Sequence, residues 1–279
     1  MTAILLKSIL INNEESNISK ALTRKLRRAD NFTKLCVKVT QNILNQNNII
    51  NNISPESRAI ILATRFGPIE TNFRYLDTVF DFGEEQGSPI LFSHSVHNTA
   101  SGYISRIFNF KGPIYNISSY SYPLFSALLT ALELLEQKLA ELVLIIEAET
   151  KSDLLNQGIK DISLNNNHTE IAFFNYAIAW ILIKNIKYIN NEIYNILIID
   201  NFKLIEYNNN ILSSSLLEEV KITYKDTVIK TDIYHLGIKF TQNLKEIHNI
   251  LAYQDNINFH IKSKIGYIDG KLYKIKKEG

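Results

Sequence analysis

Between residues 114 and 138 the sequence permits few arrangements. Ile114-Tyr-Asn-Ile-Ser118 is a short β-prone run, and Ser118-Ser-Tyr-Ser-Tyr-Pro123 is a turn. The segment that follows is apolar on nearly every side: Leu124, Phe125, Ala127, Leu128, Leu129, Ala131 and Leu132. A helix of that kind belongs in the middle of a molecule, because water would meet apolar surface on any exposed face. Proline at its first turn loses no hydrogen bond, since the first N–H groups of a helix have no partner within it. The expectation is a buried strand over 114–118 that feeds a tight elbow, with a buried helix over 123–138 starting at the elbow.

The rest of the chain alternates in the same manner. Asp30 is placed to cap a helix running to about residue 46, with Phe32, Leu35, Cys36, Val39 and Ile43 on one face. Cys36 lies on that apolar face and reads as a small core residue. Ala59 to Thr64 is a β-branched strand ended by Gly67-Pro68, and an amphipathic segment covers 69–82. A helix is expected over 97–108 and strands over 142–148, 171–184 and 194–200. Further on, 232–254 reads as a helix, with Leu236, Phe240, Leu244, Ile247 and Leu251 on one face. Residues 265–275 read as a closing strand or a hairpin turning at Asp269-Gly270. Strands alternating with helices argue for an α/β protein with a sheet covered on both faces. No short tandem repeat is present.

Composition narrows the functional classes. A chain of 279 residues buries roughly 70–75% of its unfolded surface. A net charge of +2 gives no reason to expect nucleic acid as a partner. The one cysteine excludes an internal disulfide framework. The apolar stretch from Ile171 to Ile183 is too short for a membrane span, and the segment Ile4–Ile11 is broken by Lys7, unlike a signal peptide. A cytoplasmic protein is expected. Runs such as Asn165-Asn-Asn and Asn208-Asn-Asn read as compositional bias in loops.

Three segments, in order, carry a family resemblance: Arg27-Arg-Ala-Asp-Asn-Phe-Thr33, Ser95-Val-His-Asn-Thr-Ala-Ser-Gly102 and Lys111-Gly-Pro113 followed by the strand and elbow. Together they resemble the β-ketoacyl synthase family, best its short ketosynthase-like and chain-length-factor-type proteins. The resemblance covers residues 27 to about 148. It implies a thiolase-like layered α/β/α/β/α fold. With about 130 residues after Thr150, the C-terminal half is condensed. Residues 1–150 are expected to form a ketosynthase-like N-terminal half and 151–279 the condensed remainder of the same unit.

Counting from Gly112, the catalytic Cys of active members falls at Ser121. A thiol at a helix N-terminus is partly ionised by the helix dipole and forms a thioester, whereas a serine hydroxyl needs an adjacent base. Its neighbours Tyr120, Tyr122 and Pro123 offer none. The two histidine motifs that serve decarboxylation in active members are also missing. Lys230-Thr-Asp-Ile-Tyr-His-Leu-Gly237 only echoes one of them, with His235 one residue out of place.

The resemblance therefore implies a non-condensing subunit that pairs with an active ketosynthase and shapes its acyl tunnel, in fatty-acid or polyene-type biosynthesis. An acyl carrier protein is the second implied partner, and no cofactor is implied. Relatives dimerise across the strand before the elbow, here Ile114, Tyr115 and Ile117. Leu91 and Phe92 align with the stretch that reaches the neighbouring pocket, against the alternative of core packing at a strand end. Arg24, Lys25, Arg27 and Arg28 are the candidate docking site for an acidic carrier protein, with a solvated helix start as the alternative. His94 and His97 are two potential metal ligands without a third, so no metal is expected. Two other readings stand beside the first: an acyltransferase or thioesterase-like enzyme using Ser121, with His97 or His94 as base, and an interaction protein retaining only the dimer surface.

Overall fold

The computed structural model describes residues 2–12, 20–45, 48–119, 123–158, 175–185, 193–204, 217–224, 227–234, 256–263 and 266–276. Six α-helices, three short 3-10 helices and ten strands are found among them. The α-helices are α1 (Lys20–Lys25), α2 (Asn31–Asn45), α3 (Ile69–Phe82), α4 (Pro89–Ser95), α5 (Asn98–Phe108) and α6 (Pro123–Glu136). The strands of the first part are β1 (Thr2–Asn12), β2 (Arg58–Thr64), β3 (Ile114–Ser118), β4 (Leu142–Glu149) and β5 (Tyr176–Ile183). They continue with β6 (Ile193–Leu204), β7 (Leu217–Tyr224), β8 (Thr227–Tyr234), β9 (Asn256–Ser263) and β10 (Gly266–Lys276).

All ten strands join one sheet in the order β3-β2-β4-β5-β1-β6-β10-β9-β7-β8. β2 is parallel to both β3 and β4, and the pairings from β4 to β8 are antiparallel. β2 and β4 are buried at every position, as a parallel strand covered on both faces must be. This is why their sequences are nearly continuous apolar runs rather than alternations.

Two helix layers enclose this part of the sheet. α2 and α5 set Phe32, Cys36, Val39 and Ile104 against Ile60, Leu62, Leu144 and Ile146. α6 sets Leu124, Leu128 and Leu132 against Ile61, Val143, Ile145 and Trp180 on the opposite face. Each such Leu or Ile contributes roughly 1.5–3 kcal/mol by leaving water. α6 buries one face, with Leu124, Ala127, Leu128, Ala131, Leu132 and Leu135, while Leu129 and Thr130 are half-buried and Glu133 and Glu136 exposed, so the burial on nearly every side expected from its sequence is not met among the described residues of this chain. Asp30 caps α2, its Oδ1 accepting the Thr33 N–H at 3.0 Å. Its Oδ2 accepts the Thr71 hydroxyl at 3.0 Å, so one carboxylate fixes the starts of two helices.

Several expectations are corrected. Ile114–Ser118 is a strand but not a buried one: it forms one edge of the sheet, and four of its five residues are exposed. Leu91 and Phe92 lie in a helix rather than at a strand end, because Ser88 and Pro89 start one: the Ser88 hydroxyl accepts the Leu91 N–H at 3.3 Å. Residues 232–234, expected to open a helix, close β8, where Ile229, Thr231 and Ile233 supply a period-two pattern. Residues 235–255 lie outside the described residues. Asp269-Gly270 is no hairpin turn; β10 runs through it and shifts register there against β6, as a glycine within a strand often signals.

Candidate functional site

The candidate site forms at the C-terminal ends of β2, β3 and β4. β3 ends at Ser118, Ser119 follows it, and α6 begins at Pro123. Ser121 lies outside the described residues. Ser118 and Ser119 are held by the end of β2: the Ser119 N–H donates to the Thr64 carbonyl at 3.1 Å, and the Ser118 hydroxyl to the Arg65 carbonyl at 3.4 Å.

Behind this contact is a buried polar network that the sequence reading missed. Glu147 and Glu149 project from β4, and both are 1% exposed. Glu149 Oε1 accepts the Thr64 hydroxyl at 2.9 Å and also the Arg65 N–H, and Oε2 accepts the Phe66 N–H at 3.3 Å. Glu147 Oε1 accepts the Tyr176 hydroxyl at 3.1 Å, while its Oε2 has no partner. The buried Arg65 guanidinium leaves Nε and Nη2 unpartnered. Burial pushes both carboxyls up to about 7 and raises the Tyr176 hydroxyl well above its ordinary value. The available signal was a pair of Glu residues closing the run Leu142-Val-Leu-Ile-Ile-Glu-Ala-Glu149, where burial forces each carboxylate to find donors.

The two candidate histidines have different settings. His94 closes α4, buried, with Nδ1 unpartnered and its ring centroid 5.8 Å from that of Tyr103. His97 precedes α5 and packs on Gly67, and desolvation lowers its pKa. Among the described residues no group of three or more His, Cys, Asp or Glu is placed to hold a metal. Cys36 is fully buried, and burial pushes its thiol up, away from the reactive thiolate.

The residues expected to meet partners are on the surface. Ile114 and Tyr115 are exposed on β3, and Ile117 packs partly against the α6 core. Phe92 is 56% exposed and its ring stands 5.4 Å from that of Tyr75 on α3, while Leu91 is half-buried. The same two helices expose Leu76, Phe80, Phe82 and Ile90, with Phe80 at 80%. Arg24, Lys25, Arg27 and Arg28 are exposed along α1 and the turn after it. Lys25 joins Thr99, Gly102, Tyr103, Arg106 and Ile107 of α5 in lining a groove of about 630 Å³.

Residues 11–194 match the family described as "Beta-ketoacyl synthase, N-terminal domain". The chain belongs to that family. Comparison with curated proteins gave no match. Among solved structures, it is similar to the ketosynthase ApeO in complex with its chain length factor ApeC from Xenorhabdus doucetiae. That match has a TM-score of 0.60 at 14% identity, over 97% of this chain and 99% of the other. The ishigamide ketosynthase/chain length factor matches with a TM-score of 0.56 at 14% identity, over 68% of this chain and 53% of that one. A β-ketoacyl synthase from Burkholderia phymatum STM815 matches with a TM-score of 0.58 at 14% identity, over 73% and 54%. The chain spans about half the length of these last two. The mixed α/β fold is that of the thiolase-fold ketosynthases. No helix among the described residues is long and apolar enough to cross a membrane.

Proposed function

We propose that this chain is a non-condensing, chain-length-factor-type subunit that pairs with an active β-ketoacyl carrier-protein synthase in fatty-acid or polyene-type biosynthesis. Its two parts, 1–150 and 151–279, are read as one thiolase-like unit with a condensed second half. The observation that carries the reading is the exposed edge of β3. The outer side of β3 meets no other strand among the described residues, and it presents Ile114 and Tyr115 to solvent. An unpaired apolar edge is a template for another strand, and soluble proteins leave one uncovered only at a risk of aggregation. A partner's strand at this edge would extend the sheet across a subunit boundary.

The exposed aromatic face of α3 and α4 supports the same reading. Phe80, Phe82, Ile90 and Phe92 are each more than half exposed on these two helices, and grouped exposed apolar side chains mark interaction surfaces. Leu91 and Phe92 then reach toward the partner's acyl tunnel and limit it by their bulk. The reading of Ser121 rests on chemistry: a serine hydroxyl ionises far less readily than the thiol that condensation uses and needs a base to act as a nucleophile.

An acidic acyl carrier protein is the proposed second partner, docking at Arg24, Lys25, Arg27 and Arg28 with Arg106 across the groove. The charge is complementary, and among the described residues no carboxylate pairs with these five cations. One of the solved structures similar to this chain is a type II polyketide synthase carrier protein in complex with its ketosynthase. Co-expression with a candidate ketosynthase tests the pairing: co-elution in size-exclusion chromatography supports it, and two separate peaks contradict it.

A further inference from the structure

β3 bonds to β2 through every second residue. The Ile60 N–H donates to the Pro113 carbonyl at 2.9 Å, and the Ser119 N–H donates to the Thr64 carbonyl at 3.1 Å. Between these ends the parallel register runs without a shift, from Ile60 beside Ile114 to Thr64 beside Ser118. In such a ladder Tyr115 and Ile117 turn their N–H and C=O groups toward β2, and Ile114, Asn116 and Ser118 turn theirs away. The free edge therefore offers the backbone groups of three residues, and Asn116 is the middle one.

Asn116 is also a polar interruption in an apolar strip, with Ile114, Tyr115 and Ile117 around it. Its side chain stands on the α5 side of the sheet, where Oδ1 accepts the Ser101 hydroxyl at 2.8 Å. Ser101 is itself fixed, 1% exposed and with its hydroxyl 2.9 Å from the Asn98 carbonyl. One end of the carboxamide is thus held from within. The other end, Nδ2, has no hydrogen-bond partner among the described residues, and Asn116 is exposed.

This arrangement discriminates between strands that could add to the edge. In an antiparallel pair, residues of a hydrogen-bonded couple face each other about 5.5 Å apart at Cα, with their side chains on the same face. Two copies of β3 use all three outward residues only when a two-fold axis passes through the centre, which sets the two Asn116 side chains against each other. Whichever end of the carboxamide Ser101 holds, two copies present the same end, so like meets like. One carboxamide can turn only by giving up its bond to Ser101. A polar group left unpaired in a covered interface weakens association by about tenfold or more. A strand of different sequence carries no such restriction.

We propose that Asn116 selects the occupant of the β3 edge. It disfavours a second copy of this chain and favours a strand of another sequence whose facing residue offers an acceptor to Nδ2: a hydroxyl, carboxamide or carboxylate oxygen. Specificity of this kind comes from the mismatch built against the wrong partner as much as from the match to the right one. The proposal rests on the reading of β3 as an interface, and it adds why a heterologous strand is taken in preference to self-pairing.

The test is sedimentation equilibrium of the full chain alone, with a parallel titration against the candidate ketosynthase. It compares wild type with Asn116→Val, Ser101→Ala and the double variant Asn116→Val/Tyr115→Glu. Asn116→Val should self-associate at least about tenfold more tightly than wild type and bind the ketosynthase about tenfold more weakly. Ser101→Ala frees the carboxamide to turn, so self-association should also tighten although Asn116 is retained. Adding Tyr115→Glu to Asn116→Val should abolish the gain, as expected if it runs through β3. Fluorescence of Trp180, the one tryptophan, reports whether each variant is folded. Self-association of Asn116→Val no tighter than that of wild type would overturn the proposal, as would a gain that survives Tyr115→Glu. A wild-type chain that ignores the ketosynthase, while Asn116→Val gains β3-dependent self-association, would contradict that pairing and leave the selection against a second copy standing.

Discussion

The imidazole of His97 fills the space that a side chain at Gly67 would need. A Cβ at Gly67 would stand 2.6 Å from its Cδ2 and 2.8 Å from its Nε2. The backbone of Gly67 adds a second demand, a φ of 58° in the left-handed region, which residues with a Cβ adopt only under strain. Gly67→Ala should therefore destabilise the protein by about 1–3 kcal/mol. His97→Ala in the same chain should restore the steric part but not the backbone part. A double-mutant cycle from chemical denaturation separates the two, and full additivity would show that the residues do not meet in solution.

The buried acids give stability a definite pH dependence. Each carboxyl is raised to about 7 in the folded state and falls to about 4.3 when the chain unfolds. Between those values the folded chain holds more protons than the unfolded one, so stability falls as pH rises from about 4.5 to 7 and levels off above. The loss should be on the order of 1–3 kcal/mol. It is read from urea melts at pH 5.5 and 8, and Glu147→Gln should reduce the difference by about half, since Glu149 still titrates.

How much of this was legible in sequence depended on whether the determining contact was local. The capping of α2 by Asp30 and the burial of Cys36 and Leu128 follow from residues within a few turns, and they were read correctly. The exposure of β3 was not legible, because an apolar run such as Ile114-Tyr-Asn-Ile117 looks the same whether its outer neighbour belongs to the same chain or to another. Asp269-Gly270 has the composition of a hairpin turn, but the long-range pairing of β10 with β6 overrides that local preference. Glu147 and Glu149 went unnoticed because their donors, Thr64 and Tyr176, are remote in sequence. Ser121 lies outside the described residues, so its role rests on the spacing from Gly112.

The edge strand offers a selective way to break the proposed assembly. Ile114→Lys and Tyr115→Glu place charge on exposed positions, so each should change the stability of the isolated chain by less than about 0.5 kcal/mol. If β3 pairs with a partner's strand, the same changes should abolish co-elution with the ketosynthase. Co-elution that survives both substitutions would move the interface elsewhere.

Phe92 separates a tunnel role from a packing role. Its ring is more than half exposed and touches Tyr75, so Phe92→Ala should cost under about 1 kcal/mol, far less than the 3–5 kcal/mol typical of a buried Phe. In the assembled complex it should lengthen or broaden the acyl products, because a packed apolar pocket responds to changes of even one methylene. Leu91→Ala, at a half-buried position, should show a smaller change in products and a larger drop in melting temperature. Unchanged products in both variants would confine the pair to a structural role.

The most direct test of the central claim is a condensation assay with malonyl and acyl carrier-protein substrates. It is run on this chain alone, on the candidate ketosynthase alone, and on the two together. This chain alone should make no ketoacyl product, and Ser121→Cys alone should not restore activity, because the decarboxylating histidine motifs are missing. The complex should make products of a defined length that the ketosynthase alone does not. Turnover by the isolated chain at rates ordinary for enzymes, roughly 1 per second or more, would contradict the account, as would a product profile unaffected by its presence.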